Sequence, residues 1–160
     1  MDFQITALPA SQFAGLFGLD EAALRARGVQ RLTADRSPGF PCRVTLRDAA
    51  VGEPVLLLNF EHLPVATPYR ARYAIYVREG ATDVSPAVNE VPPALASRLL
   101  SLRAFDALGM LQAADVAQGA ELPGAICRLL ALPQVSYLHL HNAAAGCYAA
   151  RAERSSTGPA

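Results

Sequence analysis

Two short segments near the end of the chain constrain its fold more than any other feature. Residues 135–141 read Val-Ser-Tyr-Leu-His-Leu-His, and residues 147–153 read Cys-Tyr-Ala-Ala-Arg-Ala-Glu. Both carry the two-residue period of a strand. Between them, Asn142-Ala143-Ala144-Ala145-Gly146 offers the residues that tolerate positive φ, so the spacing predicts an antiparallel hairpin with a five-residue loop. Closed without a bulge, the hairpin sets His141 opposite Cys147, His139 opposite Ala149 and Tyr137 opposite Arg151. Alternation then gathers Tyr137, His139, His141, Cys147 and Arg151 on one face. Opposed Cβ atoms lie about 4.5–5.5 Å apart, close enough for an imidazole and a thiol to share a proton or a metal ion. A bulge that slips one strand by a single residue would turn Cys147 to the other face.

The same period marks strands at residues 3–8, 29–34, 42–46, 54–61, 72–78, 99–106 and 110–116. The unbroken Leu56-Leu57-Leu58 run asks for burial on both faces, hence a central strand, with Pro54 confined to its first position. Helices are expected after the Asp20 cap, stopping at Gly28, and over residues 119–132, where Leu122, Ile126, Leu129 and Leu130 form one apolar stripe. Residues 35–41, 62–70 and 79–93 read as loops, the last a surface connection or a flap. This order predicts an α+β protein: one domain over residues 1–153, built on an antiparallel-rich sheet of about eight strands with two or three helices packed on one face. Residues 154–160 are expected to be a disordered tail.

Composition excludes several kinds of chemistry. All fourteen basic residues are Arg, so no lysine exists to form a Schiff base or to serve a phosphate loop. The formal net charge is zero and no basic stripe is present, which argues against a nucleic-acid partner. Hydrophobic residues make up 52% against 18% charged, a balance apolar enough to allow a homodimer. Three cysteines, no basic segment leading into an apolar run, and no stretch near the ~18 apolar residues of a membrane span predict a cytoplasmic protein with free thiols.

Three constellations carry candidate chemistry. Cys147 beside His141 suggests an activated thiol, with His62 as a further proton-transfer residue and Asn142 or Arg151 nearby. The alternative is that free cysteines are small buried hydrophobes. His139-x-His141 with Cys147 suggests an open metal site, against two histidines that simply hydrogen-bond in a core. Arg43, Arg70, Arg78, Arg103 and Arg151 fall on or beside strands, and Tyr69 and Asn142 are placed to join them around an anion. Arg103 is the most telling, because Leu99, Leu100, Leu102 and Phe105 around it read as core, and a buried guanidinium needs a partner. That partner is either an internal carboxylate such as Glu61 or Asp106, or a bound carboxylate or phosphate. No Gly-rich phosphate loop, nucleophile elbow or acid–base carboxylate pair is legible, and no cofactor is required.

Several segments together resemble the bacterial family catalogued as domain of unknown function 1203. They are Pro38-Gly39-Phe40-Pro41-Cys42-Arg43, Leu57-Leu58-Asn59-Phe60-Glu61-His62, Pro68-Tyr69-Arg70 leading into Ala74-Ile75-Tyr76-Val77-Arg78, Leu102-Arg103-Ala104-Phe105-Asp106, and His141-Asn142-Ala143 with Gly146-Cys147-Tyr148. The resemblance implies a small single-domain bacterial protein and carries no substrate, cofactor or catalytic residue with it. From the residues themselves, the leading expectation is a small-molecule-binding protein, with enzymatic activity left open. Its pocket would lie between the 62–70 loop and the terminal hairpin, with arginines holding an anion beside a His/Cys pair. The rivals are a non-catalytic dimeric binding or scaffold protein with internally paired arginines, and a metal-dependent enzyme using His139, His141 and Cys147.

Overall fold

The terminal hairpin forms, and the first strand of the chain closes against it. In the computed structural model, which describes residues 1–156, the strands are β1 (Phe3–Thr6), β2 (Gln30–Thr33), β3 (Pro54–Leu63), β4 (Ala71–Arg78), β5 (Leu99–Phe105), β6 (Leu111–Gln118), β7 (Tyr137–Asn142) and β8 (Tyr148–Arg154). The helices are α1 (Glu21–Ala26), α2 (Pro93–Ala96) and α3 (Leu122–Leu130). The protein is α+β, as the residue pattern predicts. The strands do not form one sheet, however. They divide into a five-stranded sheet of order β1-β8-β7-β5-β6 and a three-stranded sheet of order β2-β3-β4, with every pairing antiparallel. Periodicity identifies strands but not their partners, so the division was not legible.

Each sheet has its own helix, which corrects the expectation of helices on a single face. Asp20 caps α1 by accepting from the Ala23 N–H at 2.7 Å, and α1 buries Leu24 against Val29 and Leu56 of the three-stranded sheet. Helix α3 presents Leu122, Ile126, Leu129 and Leu130 to Leu100, Leu102, Leu138, Leu140, Ala150 and Ala152 of the five-stranded sheet. The turn ahead of α3 approaches α2 so closely that a Cβ on Gly119 would lie 2.0 Å from the Ala96 carbonyl oxygen, so only glycine fits there. The other face of the five-stranded sheet meets the far end of β3, where Leu63, Phe105 and Tyr137 cluster.

Two further expectations need correction, and the 79–93 segment takes the surface-connection alternative. Residues 42–46 alternate like a strand and bury Cys42, Val44 and Leu46, yet they form a turn. The Leu46 N–H returns to the Cys42 carbonyl at 3.0 Å and Leu46 takes φ 51°, while the Arg43 N–H bonds the Tyr76 carbonyl of β4. The 79–93 connection is tied to β1: the Asn89 carboxamide oxygen accepts from the Phe3 N–H, and Gln4 donates to the Pro86 carbonyl. Arg154 belongs to β8 rather than to a tail, pairing with Phe3 and donating to the Leu130 and Leu132 carbonyls. Residues 157–160 of the expected tail lie outside the described residues. Among the described residues no helix is long and apolar enough to cross a membrane.

Candidate functional site

The hairpin register decides what the terminal residues can do together. His139 pairs with Arg151 and Leu140 with Ala150, two residues away from the bulge-free prediction. A shift of two preserves alternation, so Tyr137, His139 and Arg151 keep their predicted face. The register then slips once more, and His141 faces Tyr148, leaving Ala149 as the extra residue of a bulge. That single step turns Cys147 away. Its carbonyl accepts from the Asn142 N–H at 2.9 Å, and its sulfur accepts from the Asn142 side-chain nitrogen at 3.3 Å. The expected His141–Cys147 pair is therefore replaced by His141–Tyr148 and Asn142–Cys147. His141 and Asn142, adjacent in β7, project to opposite faces.

On the His141 face, all three histidines of the chain converge. β3 runs on to Leu63, beyond its predicted end, and so carries His62 on a strand rather than in a loop. The His62 ring lies 5.1 Å from His141 and 6.0 Å from His139, centroid to centroid, and stacks on Tyr148 at 5.4 Å. With Tyr69, Arg103 and Phe105 these histidines line a cavity of about 210 Å³. His139 and His141 are 3% and 1% exposed, and burial first, then neighbouring imidazole and guanidinium groups, pushes both down to about 3. His62 is lowered too, by burial and then by Arg103. The imidazoles are thus neutral at neutral pH. His141 donates its Nδ1 proton to the Gly146 carbonyl at 2.9 Å, which leaves its other nitrogen a bare acceptor. The buried Nδ1 of His139 has no hydrogen-bond partner.

The five candidate arginines have different fates. Arg70 is paired with Glu61, Arg78 with Glu53 at 3.1 Å, and Arg151 with Glu153. Arg151 also lies over the Tyr137 ring at 3.9 Å. Arg43 is 2% exposed and reaches no carboxylate among the described residues. It donates to the Tyr148 carbonyl at 2.7 Å, to the Pro41 carbonyl, and to the Cys147 sulfur at 3.0 Å. Burial pushes its pKa down, and the Cys147 sulfur is the largest opposing influence. Arg103, between Ala114 and His139 on the ladder, has neither a hydrogen bond nor an ion pair with any described residue. The only influence on its charge is burial, which lowers its pKa. Neither carboxylate proposed as its partner serves it: Glu61 holds Arg70, and Asp106 accepts from the N–H groups of Leu108 and Met110 and from Gln112.

Cys147 and Asn142 belong to a second cavity, of about 310 Å³, walled by Arg43, Tyr76, Leu99 and the Ala143–Ala145 turn. The metal trio of His139, His141 and Cys147 is therefore split between two cavities. No group of three His, Cys, Asp or Glu residues among the described residues is arranged to hold a metal ion, and Arg103 places a positive charge beside the imidazoles. Sequence reasoning missed Tyr148, which fills the position predicted for Cys147. The bulge falls in Ala149-Ala150, where neighbouring alanines leave no sign of which residue is extra.

The two sheets and their basic cavity define the class first: a small α+β protein with a half-enclosed pocket in which a guanidinium and three neutral imidazoles meet. The chain belongs to the family described as Protein of unknown function (DUF1203), which matches residues 39–154. That span holds every residue named here in either cavity. Comparison with curated proteins and with solved structures gives no match.

Proposed function

We propose that this protein binds a small organic or inorganic acid in the cavity of His62, Tyr69, Arg103, His139 and His141. The observation that carries the reading is Arg103: a half-buried guanidinium with no partner among the described residues, directed at a cavity whose lining includes no carboxylate among them. A desolvated cation without a counter-ion is destabilising, and an anionic oxygen pair is the group a guanidinium best accommodates. The neutral imidazoles refine the choice. Their bare nitrogens accept hydrogen bonds, so the fitting ligand offers an O–H beside its anionic oxygens, as a hydroxycarboxylate or a protonated phosphate does. A volume of about 210 Å³ suits a ligand of few heavy atoms.

Binding fits this geometry better than acid–base catalysis. An effective general base needs a pKa near the working pH, whereas His139 and His141 sit near 3. The rival reading, a dimeric scaffold, draws support from the internal pairing of Arg70, Arg78 and Arg151. Three unpaired cysteines support a reducing, cytoplasmic setting, and the zero net charge gives no footing for nucleic acid. The test is calorimetric titration with glycolate, acetate and inorganic phosphate. Saturable binding, tighter for glycolate than for acetate and lost in Arg103→Met, is expected. No heat from any of the three, with a dimer in light scattering, would favour the scaffold.

A further inference from the structure

The second cavity is independent of the acid pocket, and its chemistry is different. Arg43 is among the largest fully buried side chains of the protein, and its charge meets no carboxylate among the described residues. Its Nε and Nη1 are spent on neutral carbonyls, and the remaining contact is Nη2 to the Cys147 sulfur at 3.0 Å. A buried guanidinium without a counter-charge costs several kcal/mol, and the sulfur is the one atom in contact with it that can become negative. Asn142 aims a second N–H at the same sulfur from 3.3 Å. Two donors on one sulfur, one of them cationic, stabilise negative charge there.

The setting supplies what a buried structural cysteine lacks. Cys147 is partly buried on the wall of the cavity, and the alanines of the 143–145 turn with Leu99 make most of that wall apolar. Arg98, also in the wall, is already held by Asp48 at 2.7 Å and offers no free charge to an anion. The Asn142 side-chain oxygen is buried and has no hydrogen-bond partner among the described residues, so only the amide nitrogen of this side chain is spent on the sulfur. The other two thiols differ. Cys42 is buried and its sulfur accepts the backbone N–H of Arg78 at 3.2 Å, while the Cys127 sulfur meets only the Met1 carbonyl at 3.3 Å.

From this geometry we infer that Arg43 and Asn142 hold Cys147 as a nucleophile toward small, uncharged organic electrophiles. In the displacement, the sulfur lone pair forms a new S–C bond, the bond from that carbon to its leaving group breaks, and the leaving group departs with the electron pair. The thiol proton goes to solvent. No oxidant is consumed.

Iodoacetamide is the probe, since it is small and uncharged and carries an iodide leaving group. Alkylation of the three cysteines is followed by mass spectrometry on the whole folded protein at neutral pH. Cys147 is expected to react at least about tenfold faster than Cys127. Arg43→Gln should abolish the advantage. Because Arg43 is buried and that variant could unfold, Asn142→Ala serves as the second, and a several-fold loss of rate is expected there. The inference is overturned if Cys147 reacts no faster than Cys127, which would mean that Arg43 is answered by the carbonyls alone, or if Asn142→Ala leaves the rate unchanged. Neither outcome bears on acid binding at Arg103.

Discussion

Replacing Arg103 by Met separates a ligand-binding arginine from a structural one. Methionine retains most of the aliphatic stem that packs beside Ala114 and His139 on β5. The substitution breaks no hydrogen bond and no ion pair, because Arg103 makes none with the described residues. Had Arg103 been half of a buried pair, its loss would cost about 3–5 kcal/mol. As an unpartnered, half-buried cation, it should instead leave stability unchanged or raise it by up to about 1 kcal/mol. The effect on binding runs the other way. A unit charge pair at 4 Å is worth about 4 kcal/mol at an effective dielectric constant of 20, and a hydrogen bond to a charged group nets about 1.5–3 kcal/mol. Affinity for glycolate or phosphate should therefore fall about 10- to 100-fold. Urea unfolding with and without ligand reads both quantities. Ligand at about a hundred times its Kd should stabilise the native protein by about 2.7 kcal/mol and leave the variant much less affected at the same concentration. A variant that loses more than about 2 kcal/mol without ligand, or that keeps the full ligand shift, would refute the reasoning.

Three other outcomes follow from the same structure. His139 and His141 have pKa values near 3 when folded, against about 6.5 when unfolded, so below pH 6.5 the unfolded chain takes up protons that the native one refuses. Stability should then be lost as pH falls from about 6.5, approaching about 1.4 kcal/mol per pH unit for each histidine, and His139→Leu should remove about one histidine's share of that slope in urea titrations between pH 6 and 4. Gly119→Ala drives a Cβ into the Ala96 carbonyl and should cost more than about 2 kcal/mol, seen as a lower thermal midpoint. Arg98→Met strands Asp48, 11% exposed, and should cost about 3 kcal/mol, whereas the double variant with Asp48→Leu should recover part of the loss.

Much of this architecture was legible in the residues, for identifiable reasons. Strand-like segments and an amphipathic apolar stripe made β3, β4, β5, β7 and α3 visible. Arg103 stood out because a guanidinium interrupts an otherwise apolar strand. What failed was long-range or sub-register information. Cys42, Val44 and Leu46 alternate as a strand does, but their turn is set by a hydrogen bond to Tyr76 in a distant strand. Whether Arg70 and Arg78 find carboxylates depends on contacts between strands that no spacing specifies. The His141–Cys147 pair rested on a loop whose length fixes which residue faces which. One extra alanine in β8 sent the imidazole and the thiol into separate cavities.

The most direct test of the central claim uses the fact that all three histidines of this chain line the proposed acid pocket. Imidazole nitrogen resonances recorded during a glycolate or phosphate titration report on that cavity and on no other part of the protein. The account predicts that all three sets of signals move together to saturation with one Kd, and that Arg103→Met abolishes the movement. Imidazole signals that stay still throughout the titration, or that respond identically in the Arg103→Met variant, would contradict it.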